Sequence, residues 1–379
     1  MTAAGWQERT SAGRMMVEVR TDAGRRYAAS DAGAITLDSA DHKAVFFGRG
    51  FVDGDGEAGI RTLGTDGATT RLTTDPRLNL GVPADRPWPT LWASATGGTW
   101  WLAEDSLGGG KSTYWLMRFH GGRAERVRQF ARVDNAAISP GGRMLGLAAA
   151  DAAKAPGSLF VVDLGTGSVT ERAKRVGVVW VTFSDDASGY LTVKPSRRYD
   201  APADANAALD AEVLSPGKVS RWSAAGVEDV MASFAGQQPE ELVSSPSGDL
   251  AVVAWSRGSG RHRWLSHLWL LRPGSSAVNL SAGQPEAGGA AFSADGGQLA
   301  YGAGTTAFVY SVNEAKKRQL NPAGTDAWWE GAGSFVWTPA GLLYFSNADS
   351  SGRAARLSLW LHAPDRDTRV EERPAAWRA

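Results

Sequence analysis

The hydrophobic and polar positions of the chain repeat one short pattern seven times. Each copy is an apolar run, a tight turn rich in Ser, Pro, Asp and Gly, and a second apolar run, as in AAISPGGRMLGLAA and AAFSADGGQLAYGA. Such runs predict β-strands, and the composition of the turn predicts that each pair of strands forms a hairpin. Segments with helical periodicity are almost absent. The copies begin at Ala34, Leu91, Ala136, Trp180, Leu242, Ala290 and Phe335.

The spacing of the copies is regular, with 45 residues from Ser94 to Ser139 and again from Ser139 to Ser184. Two further strand-like runs follow each hairpin, so one repeat holds four strands. Four short antiparallel strands in about 45 residues are typical of a β-propeller blade, and blades bury their faces against their neighbours in a ring. We therefore predict an all-β chain folded as a β-propeller of seven four-stranded blades, with six or eight blades as alternatives.

One repeat is similar to a known family. The segment SAVNLSAGQPEAGGAAFSADGGQLAYG, Ser276 to Gly302, resembles the repeat of TolB-type propellers: a Leu-Ser/Thr strand end, a loop, then Phe-Ser-x-Asp-Gly and an apolar strand. RLTTDP (Arg71 to Pro76) and FSDDASG (Phe183 to Gly189) follow the same pattern. The resemblance covers nearly the whole chain and implies a TolB-like propeller. It also implies a periplasmic or secreted location, with the cytoplasm as the alternative if Met1 is the native start.

The N-terminal residues precede the repeats. We expect residues 31–379 to form the propeller and residues 1–30 to form a separate segment with a β-hairpin, RMMVEVRTDAGRRYAAS, from Arg14 to Ser30. This hairpin is expected either to pair with the last blade and clasp the ring, or to begin an incomplete extra blade. Trp92, Trp180 and Trp337 lie in first strands and are expected to fill space between blades.

The composition excludes several classes of protein. Apolar residues make up 43% of the chain, which is enough for a large core, and the 40 basic residues balance the 40 acidic ones. Because there is no net charge, we expect no nucleic-acid partner. No run of apolar residues is long enough for a membrane-spanning helix. Since the chain has no cysteine, disulfides, thiolate metal sites and cysteine nucleophiles are excluded.

The predicted connections differ between the two ends of each blade. First-to-second and third-to-fourth strand connections are short, and they leave one end, here called the turn end. The long connections leave the other end, the loop end, and in a propeller the loop ends of all blades form one face, the loop face. Long loops on a rigid scaffold are where binding residues concentrate. The long connections are FVDGDGEAG, TTDPRLNLGVPADRPWP, AEDSLGGGKST, SRGSGRHRWLS, NPAGTDAWWEGAGS and the insertion from Lys194 to Val219.

Two of these connections resemble ligand-binding loops. GGGKST has Asp105 where a phosphate loop needs glycine, and the following STYWLMRF alternates like a strand, so we predict a hairpin and no nucleotide cofactor. VDGDGEAG places Asp53, Asp55 and Glu57 at alternate positions, but the glycine and glutamate of an EF-hand loop are missing. We expect a polar hairpin there, with these three carboxylates as the metal-ligand candidates.

The histidines argue against a catalytic triad or a multi-histidine metal site. Of five histidines, His262 alone is predicted on the loop face, while His267 and His362 fall in third strands. Arg123, Arg126, Arg128 and Arg132 are interpreted as the charged edge of an outer strand or its exit, since charged edges discourage edge-to-edge pairing.

The remaining candidate side chains on the predicted loop face are aromatic or charged. Trp and Arg are the residues most enriched in interface hot spots. We therefore predict a non-catalytic scaffold that binds a protein or peptide partner. One alternative is a lyase or hydrolase acting on a glycan or peptide in the axial funnel, with carboxylates such as Glu104, Asp105 or Glu330 and with Arg257 or Arg263 as electrophilic helper. Another alternative is a carbohydrate-binding propeller. The predicted binding residues are Trp88, Arg197, Arg198, Tyr199, Arg261, His262, Trp264, Trp328, Trp329 and Glu330.

Overall fold

A computed structural model gives the fold of the chain. It describes residues 5–9, 15–20, 26–30, 32–38, 43–48, 59–63, 69–71, 91–93, 98–108, 111–120, 123–139, 141–183, 189–194, 217–223, 225–257, 264–284, 286–320, 326–328, 335–347, 356–363 and 367–374. Every regular element in these residues is a β-strand, and all strand pairs are antiparallel. The described residues include no helix able to cross a membrane.

The chain divides into two compact units, Met1–Arg175 and Val176–Ala379. The first unit contains an N-terminal sheet of three strands followed by sheets 1 to 3, each a four-stranded meander. The N-terminal sheet is β1 (Gly5–Arg9), β2 (Met15–Arg20) and β3 (Arg26–Ser30); sheet 1 is β4 (Ala32–Asp38), β5 (Lys43–Gly48), β6 (Gly59–Leu63) and β7 (Thr69–Arg71); sheet 2 is β8 (Leu91–Ala93), β9 (Thr99–Gly108), β10 (Lys111–His120) and β11 (Arg123–Phe130); sheet 3 is β12 (Arg132–Ile138), β13 (Met144–Ala150), β14 (Ser158–Asp163) and β15 (Val169–Ala173).

The second unit contains sheets 4 to 7, and the last of these has a fifth strand. Sheet 4 is β16 (Trp180–Phe183), β17 (Tyr190–Lys194), β18 (Gly217–Trp222) and β19 (Glu228–Phe234); sheet 5 is β20 (Gln237–Ser244), β21 (Leu250–Arg257), β22 (Trp264–Leu271) and β23 (Val278–Asn279); sheet 6 is β24 (Ala287–Phe292), β25 (Gln298–Ala303), β26 (Thr306–Ser311) and β27 (Lys316–Gln319); sheet 7 is β28 (Asp326–Trp328), β29 (Phe335–Thr338), β30 (Gly341–Asn347), β31 (Arg356–His362) and β32 (Asp367–Pro374).

All seven predicted hairpins are confirmed, because each copy of the pattern forms the first two strands of one numbered sheet. The N-terminal hairpin is also present as β2 and β3, and β1 adds a third strand that the sequence did not predict. Its role as a clasp for the ring stays a prediction.

The recurring Ser-x-x-Gly turn has one structural role in sheets 3, 5 and 6. In each turn the serine carbonyl accepts a hydrogen bond from the glycine N–H, at 2.8 Å in Ser139–Gly142 and 2.9 Å in Ser293–Gly296. The serine hydroxyl oxygen then accepts a backbone N–H at the start of the second strand in sheets 3 and 6, as in Gln298 N to Ser293 Oγ (2.9 Å), and the N–H of Asp249, directly before that strand, in sheet 5. The glycine has a positive φ in each turn, which favours a residue without a side chain.

Replacing Ser293 with alanine is expected to lower the free energy of unfolding by about 1–2 kcal/mol, because the Gln298 N–H loses its acceptor and Asp295 loses the hydroxyl donor at 2.6 Å. Urea denaturation measures the change. Thr305→Ala, in the exposed two-residue connection of β25 and β26, is the matched control and should change stability by less than about 0.5 kcal/mol. Equal losses in the two variants would contradict this role of the serine.

The cores lie between consecutive sheets, as expected when each sheet buries a face against its neighbour. Trp180 packs into the core between sheets 4 and 5, and Trp337 packs between sheets 6 and 7 and donates its indole N–H to the Ala291 carbonyl (3.0 Å). The prediction that these two tryptophans fill space between sheets is confirmed. The main core residues are Trp100, Leu116, Leu147 and Phe160 between sheets 2 and 3; Val193, Val219, Leu250 and Val252 between sheets 4 and 5; Leu268, Leu270, Leu299 and Tyr301 between sheets 5 and 6; and Ala300, Ala307, Leu342 and Tyr344 between sheets 6 and 7.

Candidate functional site

The strand bounds show the predicted asymmetry between the two ends of each sheet. In sheets 1 to 7, first-to-second and third-to-fourth strands are joined by two to six residues at the turn end. Every longer connection leaves the loop end. The loop-end connections of more than six residues are 49–58, 72–90, 151–157, 195–216, 280–286 and 348–355.

Most of the predicted binding residues belong to loop-end connections outside the described residues. Those outside are Trp88, Arg197, Arg198, Tyr199, Arg261, His262, Trp329 and Glu330, and the metal candidates Asp53, Asp55 and Glu57 lie outside them as well. Trp264 is the first residue of β22 and pairs with Arg257 of β21, directly after the 258–263 connection. Among the residues that the structure describes, no group of acidic or histidine side chains is arranged to hold a metal ion.

Trp328, the first residue of the Trp-Trp-Glu segment, lies in a strand and not in a loop, while Trp329 and Glu330 lie outside the described residues. The segment was expected in the connection between sheets 6 and 7. Residues Asp326–Trp328 instead form β28, which pairs with β30 so that Asp326 lies opposite Asn347 and Trp328 lies opposite Phe345. The shorter strand β29 continues along the same edge of β30, starting at Phe335–Tyr344. β28 and β29 thus both occupy the position of the first strand of sheet 7, beside β30.

The glycine-rich stretch before Lys111 is a hairpin, as predicted. β9 and β10 are paired along their length, with Thr99 opposite Phe119 at one end and Gly108 opposite Lys111 at the other. Glu104 lies opposite Tyr114. Gly109 and Gly110 alone connect the two strands, and the segment after Lys111 is a strand and not a helix. The arrangement therefore lacks the helix N-terminus that holds a nucleotide phosphate.

An arginine fixes one of the longer loop-end connections. Arg132 begins β12, the first strand of sheet 3, and does not belong to an outer strand like its three neighbours in the predicted series. Its guanidinium donates to the carbonyls of Ala153 (2.7 Å) and Ala155 (3.2 Å) and to the carboxylate of Asp134 (3.0 Å). The connection 151–157 is thus held against the inner strand by two hydrogen bonds, and the bond to Asp134 lies within β12.

Sheet 5 carries a serine–histidine pair near its loop end, which sequence reasoning missed. Ser256 Oγ of β21 and His267 Nε2 of β22 are 2.9 Å apart, and both side chains are half-buried. Burial lowers the pKa of His267, so the neutral imidazole is favoured at pH 7. Ser256 and His267 are 11 residues apart in the sequence and occupy diagonal positions on two strands. The hydroxyl and the ring meet only because the strand register places Ala254 opposite His267.

The described tryptophans of the second unit are mostly structural. Each of four donates its indole N–H to an internal acceptor: Trp222 to Thr192 (2.9 Å), Trp269 to Gln237 (2.8 Å), Trp337 to Ala291 and Trp360 to Ser346 (2.8 Å). Indole N–H groups that are buried usually find such partners. Binding tryptophans are therefore to be sought in the loop-end connections.

A carboxylate on an inner strand is also perturbed. Glu241 lies in β20, the first strand of sheet 5, beside an irregularity in the β20–β21 register between Pro239 and Glu241. Burial raises the pKa of the Glu241 carboxyl above its usual value. Perturbed carboxylates on inner strands are typical of functional sites, although they also occur in purely structural positions.

Glu241→Gln is expected to stabilise the protein at pH 7. The folded-state pKa is raised, so stability falls as the pH rises from the unfolded pKa through the folded one, and above it the folded chain contains a poorly solvated carboxylate. The gain should disappear below about pH 4, where both states hold a protonated carboxyl. Thermal unfolding between pH 3.5 and 8 measures it. Glu286→Gln, at an exposed position, is the control; a variant of Glu241 no more stable than wild type at pH 7 would contradict the burial argument.

The chain matches no family model and no curated protein. Its structure is similar to that of dipeptidyl peptidase 4 from Porphyromonas gingivalis (TM-score 0.57, 11% identity, 97% of this chain and 58% of that one). It is also similar to the β-propeller domain of the trilobed protease from Pyrococcus furiosus (0.50, 10%, 98% and 97%) and to TolB from Acinetobacter baumannii (0.42, 12%, 86% and 75%).

The similarities to the dipeptidyl peptidase and to the Pyrococcus furiosus propeller domain, at 10–11% identity, show the fold and not an activity. The chain has a β-propeller fold, and it spans almost the whole of the Pyrococcus furiosus propeller domain but about half of the dipeptidyl peptidase. The predicted all-β class and the predicted β-propeller fold are both confirmed.

Proposed function

We propose that the chain is a non-catalytic β-propeller scaffold that binds a protein or peptide partner through its loop face. The observation that carries the proposal is the strand connectivity: in sheets 1 to 7, every connection longer than six residues leaves the loop end. Short turns at the other end give a partner little irregular surface to contact. Propellers use one face for recognition because the rigid sheets hold the loops of that face in fixed relation to each other.

The composition of these connections supports a protein partner. Trp88, the Arg197–Tyr199 segment, Arg261, His262 and Trp264 all lie on or beside loop-end connections. Trp and Arg offer large contact areas with polar groups that fix orientation, and they dominate the energetics of protein interfaces. Trp329 and Glu330, which directly follow β28 in the sequence, add an aromatic and a charged side chain to the proposed contact residues.

The test is affinity capture from cells of the native host with wild type, a Trp328→Ala/Trp329→Ala double variant, and Arg143→Ala as a control on the exposed first turn of sheet 3. Proteins recovered with wild type and the control should be reduced at least about tenfold with the double variant, as for loss of a hot spot. Circular dichroism verifies that the double variant is folded.

Equal recovery with all three proteins would show that the contact surface lies elsewhere. If no protein is captured but a glycan array binds wild type and not the double variant, the carbohydrate-binding alternative replaces the proposal.

A location outside the cytoplasm is proposed on the TolB resemblance. Fractionation of host cells that express the chain from its own gene with a C-terminal tag tests it. Recovery in the periplasm or medium is the expected result, and recovery in the cytoplasm alone would contradict it.

A further inference from the structure

Sheet 5 carries a carboxylate without a partner on its first strand. Glu241 of β20 lies opposite Val253 of β21, and its side chain is half-buried. The carboxyl forms no hydrogen bond or ion pair with any residue in the described part of the chain, and burial alone accounts for its raised pKa. A carboxylate that is partly removed from water without a cation or a donor is unfavourable, so a cation that reaches it gains more than it would at the open surface.

The strand register directs Glu241 toward sheet 6. Val253, which lies opposite Glu241, belongs to the core between sheets 5 and 6, and Val243 of β20 packs against the same core. Val252 and Ala254 belong to the core on the other face of sheet 5. Because opposite residues of paired strands share a face, Glu241 lies on the side of sheet 5 that packs on sheet 6.

Two further polar side chains lie on this face beside Glu241. Trp255 of β21 is the diagonal neighbour of Glu241, and Gln238 of β20 lies opposite Trp255. Both are half-buried, and in the described part of the chain neither side chain has a hydrogen-bond partner. Trp255 differs in this from the four tryptophans whose indole N–H groups have internal acceptors. Glu241, Trp255 and Gln238 are here called the Glu241 cluster.

Sheet 6 contributes the start of a strand with small residues beside the cluster. β24 begins with Ala287, Gly288 and Gly289, and the N–H of Ala287 donates to Ser266 Oγ of sheet 5 (2.8 Å). Ser266 lies opposite Trp255, so this bond places the start of β24 next to the cluster. These three residues carry no side chain larger than a methyl group, and the cluster side chains keep part of their surface exposed. A ligand at the loop end of sheets 5 and 6 can therefore reach the cluster.

The cluster has the chemistry that recognises a cationic side chain. An unpaired carboxylate accepts charge-assisted hydrogen bonds from a guanidinium or an ammonium group, and an indole ring attracts a cation over its face. The amide oxygen of Gln238 can accept a further N–H. A guanidinium fits this set best, because its planar fork donates two hydrogen bonds to a carboxylate and also stacks on aromatic rings.

We propose that the Glu241 cluster binds an arginine side chain of the partner protein. The guanidinium donates to the carboxylate of Glu241 and stacks on the indole of Trp255. This inference rests on the function proposed above and specifies the chemistry of the partner, which presents an arginine to the loop end between sheets 5 and 6. The carboxylate that destabilises the free protein then becomes a paired group in the complex.

The test measures binding of N-acetyl-arginine methylamide by fluorine NMR of protein labelled with fluorotryptophan. The Trp255 resonance is the one that Trp255→Phe removes. It should shift saturably in wild type with a Kd below about 30 mM. The citrulline derivative, which has the shape of arginine without its charge, should bind at least about tenfold more weakly. Absence of a saturable shift, or equal binding of the two derivatives, would overturn the proposal.

Glu241→Gln should raise the Kd of the arginine derivative at least about fivefold, because the amide keeps the shape of the side chain but not its charge. Loss of the fold does not explain such a result, since this substitution is expected to stabilise the protein. Glu314→Gln is the matched control, because Glu314 is an exposed carboxylate at the turn end of sheet 6. An unchanged Kd in the Glu241 variant, or an equal loss in the Glu314 variant, would overturn the site.

Affinity capture from host cells separates this inference from the proposed function. Partner recovery should fall at least about fivefold with Glu241→Gln and stay unchanged with Glu314→Gln. If the arginine derivative binds but recovery does not depend on Glu241, the role of the cluster in partner recognition is wrong and the loop-face function stands. If wild type captures no protein while the arginine derivative binds in a Glu241-dependent way, the loop-face function is wrong and the guanidinium site stands.

Discussion

An alanine at position 341 is expected to destabilise the protein by more than about 3 kcal/mol. Gly341 begins β30 with φ of +137°, a conformation that residues with a side chain rarely adopt. A Cβ atom there would overlap the carbonyl oxygen of His362, which is backbone of the neighbouring strand and cannot rotate away. The substitution therefore strains the turn and separates β30 from β31 at the Leu342–His362 pair.

Thermal and urea denaturation measure the effect, with Gly177→Ala as the control. Gly177 also has a positive φ, +81°, but no atom lies within 4 Å of a Cβ placed on it. That variant should lose only the conformational preference of glycine, about 1 kcal/mol. If Gly341→Ala is as stable as Gly177→Ala, the close approach of β30 and β31 is incorrect.

The second large effect is expected on removal of two tyrosine hydroxyls. Tyr301 and Tyr344 occupy second strands of sheets 6 and 7, and each donates its hydroxyl to the carbonyl of a leucine that follows the last strand of the preceding sheet. The distances are 3.1 Å to Leu280 and 3.0 Å to Leu320. Burial raises the pKa of both phenols, so they remain neutral donors across the physiological range. The repeated contact ties consecutive sheets together.

Tyr301→Phe and Tyr344→Phe should each lower the free energy of unfolding by about 1–3 kcal/mol, because a buried carbonyl loses its donor. The double variant should lose roughly the sum, since the two contacts join different sheets. Tyr310→Phe is the control: Tyr310 is buried too, and its hydroxyl makes no hydrogen bond to any residue in the described part of the chain. Urea denaturation of the four proteins measures the changes, and losses equal to that of Tyr310→Phe would contradict this role.

The strands and turns were predictable from the sequence because their signals are local. The Ser-x-x-Gly turn combines a hydroxyl acceptor and a left-handed glycine within four residues, as Ser293 and Gly296 show. The hairpin at Lys111 was predictable for the same reason, since alternation after the lysine excludes a helix. The asymmetry of connection lengths also follows from local strand assignment, and it carried the functional prediction.

Features that depend on contacts between distant segments were not predictable. The pair Ser256–His267 requires the register of two strands, β21 and β22. The division of the first strand of sheet 7 into β28 and β29 was missed because Trp328 and its neighbours have loop-like composition, while pairing with β30 overrides it. For the loop-face residues, the sequence supplied composition and position along the chain but no side-chain geometry.

Site-specific photo-crosslinking tests the proposed recognition surface most directly. A photoreactive phenylalanine derivative replaces, one at a time, loop-end residues Trp88, Arg198 and His262, or turn-end residues Gly141, Gly165 and Ala340. Irradiation in cells of the native host should yield crosslinked partner proteins from the loop-end positions and none from the turn-end positions. Crosslinks from the turn-end positions alone, or equally from both sets, would contradict recognition through the loop face.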